Sequence, residues 1–264
     1  MSLMEKEKQE SKKYLLETEN IIYNNNEQMI VKLTSDNVAR VEAMIQTDSD
    51  YKDSNDIKKM IVIDRKGRIK YIGSSYFWLS QLKEFLNEHI DVSISGFNYE
   101  QVIKNLIIAI DNENSTHLNS DNIGREVVKN KLLKISKKEL VEYLKNPNGC
   151  YELVNLIQSP IEIGEKNHLS FATKFCHYTC QYLFKGSEIE DNFSIYDNVL
   201  KNALPLYVKR YLGIDIDYKE YENDYCKYMK YIDKVRKEAS ILYKNDISRN
   251  GFDHLLWYYH KGRN

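Results

Sequence analysis

From residue 74 onward the apolar residues recur at spacings of three and four with hardly a break. That period puts them on one face of a 3.6-residue helix and is incompatible with the alternation a sheet requires. Helices are therefore expected near 75–89, 98–111, 121–134, 136–145, 150–158, 169–184, 195–211, 218–243 and 248–261. Several open on residues that cap: Asn98, Ser120-Asp121, Ser136 with Glu139 as a capping box, and Ser248. Only 3 prolines and 10 glycines leave little turn material, which argues against a many-stranded sandwich or barrel.

The first third is less regular. Residues 4–24 show a charged amphipathic pattern with Leu15, Leu16, Ile21 and Ile22 as its apolar contacts, and Asn24-Asn25-Asn26 ends it. Ser35-Asp36 is placed to cap a helix carrying Val38, Val41 and Ile45. The runs 59–64 and 68–72 flank Arg65-Lys66-Gly67 and suggest a β-hairpin, with a helix through 57–63 as the alternative. The expectation is a mainly α protein of two lobes, divided as 1–97 (helical, with the possible hairpin) and 98–264 (helical).

Hydrophobic content of 42% with 29% charged residues indicates a globular chain with a substantial core. No apolar run approaches the length that spans a bilayer, and no signal sequence opens the chain, so a cytoplasmic protein without a membrane partner is expected. Many of the 21 tyrosines fall inside helical patterns, where a ring with a polar tip suits a half-buried face. Four cysteines (Cys150, Cys176, Cys180 and Cys226) are too few for a disulfide framework. A zinc site from Cys176, His177, Cys180 and Cys226 is conceivable, but packed, reduced thiols are the expectation, with no metal and no cofactor. Phosphate-loop, dinucleotide-glycine, His-Glu-x-x-His and Gly-x-Ser-x-Gly patterns do not occur.

The net charge of −1 carries no polycation signature, so a nucleic-acid partner would need a local basic surface. Residues 125–138 offer one: Arg125, Lys129, Lys131, Lys134, Lys137 and Lys138 stand against Glu126 alone. A solvated helix face is the plainer reading of the same run.

One constellation could carry chemistry. Leu153, Leu156 and Ile157 belong to a short helix that Ser159-Pro160 ends, and the connection runs through Gly164 to Leu169. The next helix opens on Leu169-Ser170-Phe171-Ala172-Thr173-Lys174. Two helices so joined present backbone N–H groups at the second helix's start, where a phosphate is favoured. Ser170 and Ala172 are small enough for close approach of that phosphate. Twenty-three residues after Lys174, Ile195-Tyr196 leads into Asp197, placed to enter a further helix.

This layout resembles the helix-hairpin-helix DNA glycosylase superfamily, whose signature is Gly-x-Gly-x-Lys, an apolar helix, an apolar pair and an aspartate. Ser170 and Ala172 stand in place of both glycines. The resemblance implies a two-lobed helical DNA-glycosylase-like fold over roughly 98–264, with Lys174 as an amine nucleophile and Asp197 as its carboxylate. DNA would be held by Ser170, Ala172 and Thr173 and by Arg125, Lys134 and Lys138. By likeness to 8-oxoguanine glycosylases, Phe252, Asp253 and Trp257 would wall a pocket for the flipped base. The implied activity is excision of a damaged base, with or without strand cleavage, by a monomer. A non-catalytic DNA-binding or genome-surveillance protein of the same fold, or a helical protein-interaction module, are the alternatives.

Overall fold

Residues 16–47, 61–63, 69–71, 73–88, 91–93, 95–114, 116, 118, 123–147, 151–158 and 167–261 are described by a computed structural model. The first element corrects the helix expected over 4–24. Thr18–Tyr23 (β1) and Asn26–Val31 (β2) pair antiparallel, with Tyr23 opposite Asn26. Asn24 and Asn25 join them at φ 50° and 62°. A two-residue loop that matches strand twist needs positive φ at both positions, which asparagine tolerates better than most residues. Alternation then separates neighbours: Ile21 is 8% exposed and Ile22 61%. Residues 4–15 lie outside the described residues.

The helices follow the apolar periodicity closely. They are Ser35–Thr47 (α1), Ser75–Glu88 (α2), Tyr99–Asn114 (α3), Ile123–Leu132 (α4), Lys137–Lys145 (α5), Glu152–Gln158 (α6) and Leu169–Leu183 (α7). Asn198–Leu212 (α8), Tyr225–Tyr243 (α9) and Arg249–His260 (α10) complete them. The hairpin expected over 59–72 forms as Ile61–Ile63 (β3) against Ile69–Tyr71 (β4). Ser136 and Glu139 make the expected capping box, at 3.2 and 2.7 Å. The caps at Asn98 and Ser248 also form, whereas Ser120-Asp121 lies outside the described residues. The helix expected over 218–243 is interrupted: Tyr218–Glu220 is a 3-10 turn, Asn223 turns left-handed at φ 65°, and Asp224 caps α9. No helix among the described residues is long and apolar enough to cross a membrane.

The chain divides into two units, Met1–Asp53 with Tyr196–Asn264, and Ser54–Ile195. The position between residues 97 and 98 falls inside the second. In the first, α10 packs on α1 and α8, and α9 on α8. Tyrosine hydroxyls fasten the N-terminal hairpin to this layer. Tyr207 and Tyr211 accept from the amides of Val31 and Leu33 at 3.3 and 3.2 Å, and Tyr23 donates to the Ile216 carbonyl at 2.7 Å. The fully buried Asn37 accepts from the Glu17 amide and donates to the carbonyls of Glu17 and Lys32, closing the hairpin's open end.

In the second unit α7 is the central helix, packed by α2, α3, α5 and α6. Ten of its fifteen residues are buried, including Thr173, Lys174 and His177. Such a helix lacks a solvated face, so its polar side chains must find partners inside.

Pro205 lies within α8 and has no N–H for the carbonyl four residues earlier, that of Lys201. The fully buried Tyr221 supplies the missing donor, its hydroxyl 2.6 Å from that oxygen. Tyr221→Phe is expected to destabilise the protein by about 1 kcal/mol, because it leaves a part-buried carbonyl without its donor. In a Pro205→Ala background, where the backbone can donate again, the same change should cost measurably less. Urea unfolding of the four proteins checks the cycle; equal costs in both backgrounds would refute the pairing.

Candidate active site

Lys174 stands in the second turn of α7 with 8% of its surface exposed. Its ammonium donates to the Asn114 carbonyl at 3.3 Å. Asn114 is the last residue of α3, where carbonyls lack intrahelical partners and the helix dipole favours a cation. One turn further along α7, the Tyr178 hydroxyl donates to Asn114 Oδ1 at 2.8 Å, and Asn114 Nδ2 donates back to the Ile110 carbonyl. On the neighbouring face His177, 2% exposed, has Nδ1 2.8 Å from the Phe193 carbonyl. A carbonyl can only accept, so that ring nitrogen carries the proton. Attack by Lys174 on a substrate requires the amine to leave the Asn114 oxygen and to lose its proton.

Asp197 belongs to the other unit and is the N-cap of α8. Its Oδ1 accepts from the Leu200 amide at 2.9 Å, and the carboxylate is half-buried. Within that unit, Tyr196 packs edge-on against Tyr228, with ring centroids 4.9 Å apart. Tyr228 is wholly enclosed, and burial pushes its hydroxyl well above the ordinary tyrosine range, with the carboxylates of Asp253 and Asp197 adding to the effect.

The other expected site residues are placed as follows. Ser170 and Ala172 are in the first turn of α7, not in a loop before it. The Ala172 amide is taken by the His168 carbonyl at 2.9 Å, and Ala172 and Thr173 are fully buried. A larger side chain at 172 would therefore meet the core of the unit. The connection at 159–166, which would form the turn of the hairpin, lies outside the described residues. Phe252 is fully buried against Tyr207 and Asp253 is 2% exposed, while Trp257 is half-buried under the Lys261 ammonium, 3.8 Å from its ring.

The basic run 125–138 is largely consumed by the fold. Arg125 binds the buried Asp111 through Nε at 2.7 Å and Nη2 at 2.6 Å, while Asp111 Oδ1 accepts from Thr116 and from the Leu118 amide. Lys129 pairs with Glu126 and Glu100, and the buried Lys131 donates to the Ile157 carbonyl. Lys137 lies over the rings of Phe85 and Tyr99. Lys134 and Lys138 remain exposed.

Burial drives the Cys176 thiol well above its ordinary range, and the Cys180 thiol up to about 12. Cys226 lies in the other unit and is half-buried; Cys150 is outside the described residues. No group of three His, Cys, Asp or Glu side chains among the described residues is arranged to hold a metal ion.

No protein-family profile, curated protein or solved structure matches this chain. Two residues beside Lys174 escape the sequence argument. Asn114 is sixty positions away and carries no local signal, whereas His177, three residues after Lys174, shares its helix and in sequence suggests only a metal ligand.

Arg125→Ala is expected to cost about 3 kcal/mol, since it strands a buried carboxylate, while Lys134→Ala should be nearly neutral. Denaturant unfolding tests the contrast, and similar costs for the two would refute it. Thiol labelling gives a second check. At about pH 8 iodoacetamide should modify Cys226 well before Cys176 and Cys180, whose thiolates are scarce and enclosed until the protein unfolds.

Proposed function

We propose that the chain excises damaged bases from DNA, with Lys174 as the attacking amine and Asp197 as the carboxylate. The observation that carries this reading is the burial of Lys174, 8% exposed, on the most enclosed helix of its unit. Enclosing an ammonium is costly unless it is hydrogen-bonded, and among the described lysines only Lys174 and Lys131, the latter on the Ile157 carbonyl, are so enclosed.

In the proposed reaction the neutral amine forms a bond to C1′ of an extruded nucleotide as the glycosidic C1′–N bond breaks. The base leaves with the bonding pair and takes up a proton. The attached nitrogen sheds a proton, the C1′–O4′ bond breaks with its pair leaving on O4′, which takes up a proton, and the nitrogen lone pair closes a protonated Schiff base between Lys174 and C1′.

A second reading has its own support. The Lys174 ammonium meets the Asn114 carbonyl at the end of α3, as a lysine holding two helices together would. On that reading Lys174 is a structural residue and the protein, whatever it binds, performs no excision.

Borohydride trapping on DNA carrying an abasic site or 8-oxoguanine separates the two. A covalent adduct is expected with the parent protein and none with Lys174→Gln, which retains a donor for the Asn114 carbonyl. Asp197→Asn should fold normally, because asparagine caps helices as well as aspartate does. It should nevertheless slow single-turnover excision by about 100-fold, the lower range for a group acting in the transition state. An adduct that survives Lys174→Gln places the nucleophile elsewhere. Absence of any adduct, in a protein that binds duplex DNA, selects the non-catalytic reading.

A further inference from the structure

On α9, Lys230, Lys234 and Lys237 stand at i, i+4 and i+7, share one helix face and are all exposed. Most nearby acidic groups are engaged elsewhere. Asp224 accepts from the Lys227 amide as the helix cap, and Glu220 pairs with the Lys227 ammonium at 3.2 Å. Glu222 pairs with Lys201, and Asp233 holds Arg249 through two bonds of 2.8 Å. Glu238, one turn beyond Lys234, is exposed and makes no ion pair with it. None of the three lysines has an acidic partner among the described residues.

We infer that this face of α9 binds the phosphodiester backbone of a nucleic acid. The inference extends the DNA reading above and rests on it for the identity of the partner. Seven residues at 1.5 Å each set Lys230 and Lys237 about 10 Å apart along the axis. One strand of duplex DNA carries a phosphate every ~3.4 Å of axis, so the row spans about three phosphates. Lysine supplies mobile point charges, and the row holds no Arg, Asn or Gln that would read base edges. The contact is therefore to the backbone and independent of sequence. A lipid surface fits less well, because only Ile241 continues the row as an exposed apolar residue.

The test compares the parent with Lys230→Ala/Lys234→Ala/Lys237→Ala, three exposed changes to the best helix former. Binding to a short undamaged duplex is measured by fluorescence anisotropy across a salt series, with vesicles containing phosphatidylserine as a second probe. The triple variant should lower the log–log salt slope by about 2.7, which is 0.9 for each of three phosphates, and weaken binding at 0.1 M salt by about 100-fold. Circular dichroism should be unchanged. An unchanged slope and affinity would overturn the proposal, as would failure of the parent to bind duplex. So would loss of vesicle binding in the variant with duplex binding intact. Undamaged duplex requires no chemistry, so the outcome is separable from trapping. A persisting Lys174 adduct with an unaltered slope sinks only the α9 surface, and a reduced slope with no adduct sinks only the excision chemistry.

Discussion

A helix surrounded by other helices cannot leave its polar side chains to water, and that constraint governs the second unit. α7 carries Thr173, Lys174, His177 and Thr179 among apolar neighbours, all four of them buried. Two of the four, Lys174 and His177, are met by main-chain oxygens of other segments, while Thr173 donates back to the Ser170 carbonyl of its own helix and Thr179 Oγ1 is buried without a hydrogen-bond partner among the described residues. The end of α3 offers the Asn114 carbonyl to Lys174, and the segment after the Glu188–Asp191 turn offers the Phe193 carbonyl to His177. Each bond satisfies a side chain and a backbone group together, which a low-dielectric interior rewards. The proposed chemistry depends on this same arrangement, since what holds the Lys174 amine also determines how it can be released.

The first unit shows the converse problem, a backbone whose polar groups need side chains. β1 and β2 form a two-stranded hairpin, which is marginal on its own. Tyr207, Tyr211 and Tyr23 fasten it with hydroxyl bonds, and Asn37 closes its end. Tyr221 performs the same service inside α8, where Pro205 leaves the Lys201 carbonyl without a donor. The abundance of tyrosine thus has a structural use here: a large apolar ring fills the core while its hydroxyl reaches a stranded main-chain group.

Charge is sorted by the tertiary structure in a way that linear counting misses. The run at 125–138 looks like the most basic surface of the chain, yet Arg125 and Lys129 meet Asp111 and Glu100, which precede them by fourteen and twenty-nine positions. Lys131 and Lys137 are drawn onto a carbonyl and two aromatic rings. The row on α9 follows the opposite course. Asp233 and Glu220 lie near those lysines in sequence but are claimed by Arg249 and Lys227. Lys230, Lys234 and Lys237 make no ion pair among the described residues, with the exposed Glu238 as the one unclaimed carboxylate beside them on α9.

Local chemistry was legible from residues alone. Helical spacing, the Ser136 and Glu139 capping box, the Ser248 cap and the β3–β4 hairpin are each set within a few neighbouring positions, where propensity and capping act. The β1–β2 hairpin was missed because apolar spacing over 15–22 also fits a helix, and because two consecutive asparagines serve as a break or as a left-handed turn with equal ease. Lys174 and Asp197 were singled out by spacing and likeness, but their surroundings were not. Only the folded chain decided that the lysine would be enclosed, that Asn114 would receive it, that Ala172 would face the core, and that Arg125 would be spent on Asp111. Partners tens of residues apart are chosen by which helices pack together, and helix packing has no signature within a short window of sequence.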